Sequence, residues 1–183
     1  MHMLNDYFTL YSGDHSVTKN SDGSFSIDGD ISVSVDAEFN HLPVTFKKVS
    51  GFFNCDNAGL TTLDGCPEEV VGYFSCESNK LTNLIGGPKI VNGMYFCREN
   101  PLTSYNGLPL ELDGDLRCDW IENVPMLSLL KYKNVELYSD HTDSALKFYN
   151  IFKKYSGQKP LRQAIIKCQR ELIDAGLKGN ARL

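Results

Sequence analysis

Four cysteines, Cys55, Cys76, Cys97 and Cys118, recur at intervals of 21 residues. A thiol can ligate a metal, form a disulfide or, once ionised, attack an electrophile. A structural metal site needs several ligands that converge on one point. Equivalent places on successive parallel strands, about 4.8 Å apart, form a straight column instead. No histidine joins it. His2, His15, His41 and His141 show no metal-pair spacing such as H-E-x-x-H. The column therefore reads as small apolar core residues stacked in a buried ladder, the usual behaviour of a free cysteine. Cys66, in a turn before Pro67, and Cys168, in a later helical stretch, read as reduced and structural. Among the acids, Asp56, Glu77 and Asp119 could share proton transfer. On an open sheet they are expected to be solvated, with little to shift a pKa. No G-x-S-x-G, Walker A or G-x-G-x-x-G motif occurs. The residues point to no catalytic group, no cofactor site and no metal site.

The elements that position these residues form a repeat. Gly51, Gly72, Gly93 and Gly114 each precede a cysteine by four places. Leu60, Leu81 and Leu102, Thr61, Thr82 and Thr103, Gly65, Gly86 and Gly107, and Pro67, Pro88 and Pro109 keep the same step. A fixed period of this length means a solenoid, each unit burying its apolar face against its neighbours. The unit reads V-x-G-x-F-x-C-x-x-N-x-L-T-x-L-x-G-x-P, most complete from Val70 to Pro88. Phe53/Cys55, Phe74/Cys76 and Tyr95/Cys97 are its inward strand residues, and Leu60/Leu63, Leu81/Leu84 and Leu102/Tyr105 fill the convex side. Asn79 and Asn100 are placed to bond backbone groups left open at the turn. The second coil has Ala58 in that column and Asn57 just before it, so its turn is expected to be displaced. Ile121 ends the column.

This unit resembles the leucine-rich repeat, L-x-x-L-x-L-x-x-N-x-L, over residues 29–140. It is most similar to the short, roughly 21-residue type of bacterial and bacteriophage proteins. The resemblance to phage proteins implies a protein that acts on a host factor. It implies no single function, because such a scaffold hosts many binding roles.

The two ends break the period. Residues 1–28 read as an N-terminal β-hairpin cap, Val17 to Ile27 around Asp22-Gly23, whose glycine supplies the positive φ of a tight turn. Phe8, Leu10 and Tyr11 are expected to pack on the first coil. Residues 29–140 form the solenoid. Its first strand alternates Ile31, Val33 and Val35 with Ser32 and Ser34, and its sixth, Val135 to Tyr138, lies one more 21-residue step from Gly114. Pro125 to Lys131 reads as a turn or short helix. Residues 141–183 form a basic helical cap. One helix runs from Thr142 or Asp143 to Tyr155, with Leu146, Tyr149, Phe152 and Tyr155 apolar. A second starts at Pro160, carries the stripe Leu161, Ile165, Cys168 and Leu172, and ends at Gly176. The tail from Lys178 is expected to fray. The fold class is thus an α/β solenoid: a leucine-rich-repeat-like right-handed coil with a parallel sheet of about six short strands, a hairpin cap and a two-helix cap.

Charge divides along the chain. Residues 1–140 carry a net −11 and residues 141–183 a net +6, against −5 for the whole. Lys153, Lys154, Lys159, Arg162, Lys167 and Arg170 could serve a nucleic-acid-associated protein. The aromatics there lie on the apolar helix face rather than between the basic residues as stacking platforms. A solvated helix surface is the simpler reading. No apolar run is long enough to span a membrane and no basic-then-apolar leader is present, so a cytosolic address, bacterial or infected host, is expected.

Strand alternation sets what the open, concave face displays. The first outward column is Asp30, Phe52, Tyr73, Met94, Asp115 and Glu136. The middle one is Ser32, Asn54, Ser75, Phe96, Arg117 and Tyr138. The last is Ser34, Asp56, Glu77, Arg98, Asp119 and Asp140. Phe52, Tyr73, Met94 and Phe96 fall on adjacent coils, flanked by Arg98, Arg117 and Tyr138. Aromatics, Met and Arg are the residues enriched in interface cores. The expectation is a non-catalytic module that binds a protein partner through this face. Self-assembly through the same patch, or cover by the caps, are the alternatives.

Overall fold

The computed structural model describes residues 7–10, 16–33, 40–140 and 142–183. Val35, Ser34 and Tyr11, which carried expectations above, lie outside them. The chain coils through two sheets. A seven-stranded sheet has the order β1-β4-β6-β8-β10-β12-β13 and a six-stranded sheet the order β11-β9-β7-β5-β3-β2. In the first, β1 is Phe8–Leu10, β4 Ile31–Val33, β6 Phe53–Asn54, β8 Phe74–Ser75, β10 Tyr95–Phe96, β12 Leu116–Asp119 and β13 Val135–Tyr138. In the second, β2 is Ser16–Lys19, β3 Phe25–Asp28, β5 Phe46–Val49, β7 Glu69–Val70, β9 Ile90–Val91 and β11 Glu111–Leu112. From β4 to β13 the larger sheet is parallel throughout, and it contains all six expected strands.

The second sheet was not anticipated. Val49, Val70, Val91 and Leu112 form its inner column, each two residues before the repeat glycine. The three valines have no exposed surface. β-branched residues suit a half-buried pleat, so the return path of each coil pairs as a strand. The expected hairpin forms as β2–β3, Val17 opposite Ile27, with Gly23 at φ 88° in its turn. It closes the six-stranded sheet, because β3 pairs in parallel with β5. The larger sheet is closed instead by β1, antiparallel to β4, with Phe8 buried against Phe46.

Coil-to-coil contact explains two glycine columns. A Cβ on Gly72 or Gly93 would meet backbone of the preceding glycine at 2.6 or 2.5 Å. Gly65, Gly86 and Gly107 hold φ of 93°, 91° and 97°, a region L side chains disfavour. Inside, Phe53, Phe74 and Tyr95 stack at 5.9 and 5.0 Å between ring centroids. Cys55, Cys76, Cys97 and Cys118 are fully buried and free. The Cys55 thiol donates to the Ser75 carbonyl on the next coil, 3.2 Å, and Cys76 to that of Phe96, 3.4 Å.

The asparagines complete the turns across coils. Asn79 Nδ2 donates to the carbonyls of Cys55, 2.8 Å, and Cys76, 3.1 Å, while its Oδ1 accepts from the N–H groups of Ala58 and Leu60. Asn100 repeats the pattern one coil on. The second-coil turn is therefore not displaced. Asn57 takes the same positive φ, 54°, as Ser78 and Glu99, and Asn79 of the following coil serves it.

The C-terminal end corrects three further expectations. First, the last coil is two residues short. Leu116 pairs with Val135, a step of 19, because a 3₁₀ helix, Leu127–Lys131, takes up the return segment. Second, α1 (Asp143–Tyr155), capped by the Thr142 hydroxyl, buries Ala145, Phe148 and Phe152, leaving Leu146 and Tyr149 exposed. Third, the tail is docked rather than frayed. Asn180 is 1% exposed and donates to the carbonyls of Ile121 and Val124 at 2.9 and 3.0 Å. It supplies an amide beside the coil whose own asparagine is missing. α2 (Leu161–Asp174) packs through Ala164, Cys168 and Leu172, and the turn at Gly176, φ 84°, ends it. One hydrophobic cluster runs from Phe8 to Ala181. Among the described residues no helix is long and apolar enough to cross a membrane.

Candidate functional site

The outward side of the larger sheet gathers the expected residues. Phe52 and Tyr73 stack face to face, centroids 4.7 Å apart and planes 11° from parallel. The ring of Phe96 meets Tyr73 edge-on at 5.9 Å. The Arg117 guanidinium lies 5.3 Å from the Phe96 centroid and pairs with Glu136 at 2.8 Å. Met94, 38% exposed, belongs to the same column as Phe52 and Tyr73. Parallel pairing at a regular step brings these side chains together, since equivalent places on neighbouring strands are a strand spacing apart.

The shortened last coil alters one column. Tyr138 pairs with Asp119, and Glu136 with Arg117. Tyr138 therefore stands in the third column rather than the middle one. There its ring meets the Arg98 guanidinium at 4.3 Å. Arg98 also grips Glu77 through both ends of its fork: Nε donates to Oε1, and Nη2 to Oε2 at 3.1 Å. That carboxylate holds the guanidinium in its charged form, raising its pKa further. Arg98, Asp119, Tyr138 and Asp140 line a cleft of about 430 Å³ at the end of the face. Trp120 lines it too. No repeat column singled it out, and only its place directly after β12 could have marked it.

The acids are engaged in structure. Asp56 Oδ1 accepts from the Ser75 hydroxyl at 2.6 Å and from the Glu77 N–H at 2.7 Å. Asp119 accepts from the Glu99 N–H at 2.7 Å. Each thus holds the turn of a neighbouring coil. Contrary to the expectation of solvated carboxylates, burial raises the pKa of both. Burial likewise pushes the thiols of Cys55 and Cys76 well up, and that of Cys168 to about 12, so they stay protonated at neutral pH and are poor nucleophiles. Among the described residues no group of three or more His, Cys, Asp or Glu could hold a metal ion.

No family model, curated protein or solved structure matches the chain significantly. The outward face presents the half-buried, packed rings of Phe52, Tyr73 and Phe96, the exposed Met94 and two delocalised cations, each cation held in place by a carboxylate and a ring.

Proposed function

We propose that this protein is a non-catalytic interaction module that binds a protein partner through the outward face of its larger sheet. The observation that carries this reading is the packed strip Phe52–Tyr73–Phe96, bordered by Met94, Arg98, Arg117 and Tyr138. Contiguous apolar surface on a folded chain marks contact sites. Pre-ordered aromatics and arginines lose little conformational freedom on binding, which suits them as anchors. Stacking of bases needs open ring faces. Here Phe52 and Tyr73 cover one another, and edges fit the aliphatic and aromatic side chains of a protein. The asparagine-completed turns support kinship with leucine-rich repeats, and that likeness suggests a bacterial or phage protein that meets a host factor in the cytosol.

The test replaces Phe52, Tyr73 and Phe96 by alanine together. A second variant carries Lys48→Ala and Lys89→Ala on the opposite sheet. Proteins captured by the native chain and by the lysine variant are expected to be lost with the aromatic variant. Retention at full strength on the folded aromatic variant overturns the reading. Sedimentation of the isolated protein separates the remaining case: a dimer that the same three substitutions dissolve makes the face a self-association surface instead.

A further inference from the structure

We propose that the outer edge of β13, together with the facing side of α1, is a second binding site. It takes an extended peptide strand, apolar at alternate positions and carrying a carboxylate at one end. β13 ends the larger sheet. Its pairing with β12 settles which peptide groups remain on the outer side. Leu116 N donates to Asn134 O and Trp120 N to Tyr138 O. In a parallel ladder, alternate residues face the same neighbour. Residues 134, 136 and 138 thus face β12, and the N–H and C=O groups of Val135 and Leu137 point away from it. Among the described residues no strand lies beyond them. Such an edge pairs readily with any strand that reaches it.

α1 does not fill the place of that missing strand. A groove of about 350 Å³ separates it from β13, lined by Trp120, Leu137, Leu146 and Tyr149 among others. Leu146 is 47% exposed and Tyr149 37%, although both are apolar and face this groove. The groove continues past Val135 into a further space of about 380 Å³ bordered by Lys133 and Lys153. The acids there are already engaged, Asp115 by Asn134 at 2.8 Å and Glu136 by Arg117. Among the described residues neither Lys133 nor Lys153 has a carboxylate within ion-pair distance. Lys153 instead lies over the Tyr149 ring at 5.4 Å.

A strand laid about 4.8 Å beyond β13 would bond to Val135 and Leu137, set alternate side chains against Leu146 and Tyr149, and bring a terminal acid to the two ammonium groups. Hydrogen bonds give such a site affinity for extended chain in general. The apolar walls and the basic end supply the choice of sequence. The groove borders the outward face at Glu136 and Tyr138, which line it too, but Phe52, Tyr73 and Phe96 take no part in it.

The experiment selects from a displayed library of random short peptides on the full chain, then measures the enriched sequence as a synthetic peptide by fluorescence anisotropy. The retained sequences are expected to alternate apolar residues and to end in Asp or Glu. Methylating alternate backbone nitrogens of the peptide abolishes binding, and the amides of Val135 and Leu137 gain protection from hydrogen exchange. Leu146→Glu combined with Lys153→Glu, both surface changes that the fold tolerates, weakens the peptide by about tenfold or more. The variant with Phe52, Tyr73 and Phe96 replaced by alanine binds it unchanged. Failure to enrich any sequence overturns the proposal, as does enrichment of peptides that bind the groove variant equally well. Peptides lost only with the aromatic variant overturn it too, and assign their binding to the other face.

Discussion

The two sheets share every coil, yet their outer faces differ in kind. On the larger sheet, equivalent places carry Phe52 on Tyr73 and Arg98 on Glu77, each held by a ring or a fork. On the smaller one they carry Lys48 beside Glu69 at 2.7 Å and Lys89 beside Glu68 at 3.7 Å, flexible pairs open to water. The two sets of turns in each coil differ as well. Asn79 and Asn100 close the set after the larger sheet with buried side chains, while the set leading into the smaller sheet combines the positive φ of Gly65, Gly86 and Gly107 with exposed local bonds accepted by Thr62, Asn83 and Ser104. One backbone step therefore supports an ordered display on one side and a solvated shell on the other. The coil decides where side chains stand. The outward columns decide what they can hold.

Substitutions can separate these layers. Asn79→Ala leaves the N–H groups of Ala58 and Leu60 and the carbonyl of Cys55 without this partner, while Asn100 still serves the carbonyl of Cys76. It is expected to lower unfolding free energy by at least about 3 kcal/mol, read as a shifted urea midpoint. A loss below about 1 kcal/mol would mean that the asparagine ladder is not what holds the larger sheet. Gly93→Ala sets a Cβ against backbone shared by both sheets and should cost about 2–3 kcal/mol. Hydrogen exchange should then rise in β8 and β9 together; a rise confined to one sheet would show that the coil is not the shared unit.

A smaller effect concerns pH. Burial raises the Asp56 pKa from its ordinary 3.8, so the folded chain holds this proton more tightly than the unfolded one. Its contribution to stability is therefore largest at low pH and falls as pH rises through the raised value. Asp56→Asn, which keeps an oxygen for Ser75 and Glu77, should flatten that fall and leave the protein more stable near neutrality. An unchanged profile would put the carboxylate in a better solvated place than its contacts show. Smallest of all, Lys48→Ala on the second sheet should change stability by less than about 0.5 kcal/mol. A larger loss would erase the contrast between the faces.

Most of the coil was legible because its columns repeat. Glycine, cysteine, asparagine and leucine each recur for a distinct reason, and together they fix strand, turn and core. The second sheet was written as plainly, in Val49, Val70, Val91 and Leu112, but so short a β-branched signal is ambiguous until neighbouring coils are seen to pair. The end of the coil was not legible. Its return segment folds as a 3₁₀ helix and shortens the step to 19, which moves Tyr138 one column over, onto Arg98. Nor could the chain order show that Asn180 returns to Ile121, a contact spanning 59 residues. On the outward face, alternation named the aromatic and arginine residues, and the carboxylate bonds to neighbouring turns needed coordinates.

Each asparagine closes the turn of the coil before it, so a coil takes one set of bonds from its successor and gives a similar set to its predecessor. A whole unit, such as residues 72–92, is in that respect interchangeable with its neighbours. Gene duplication or loss of one such unit would lengthen or shorten the molecule without opening a seam. The spacing between the aromatic strip and the far end of the sheet would then be adjustable in increments of one strand, like marks on a ruler.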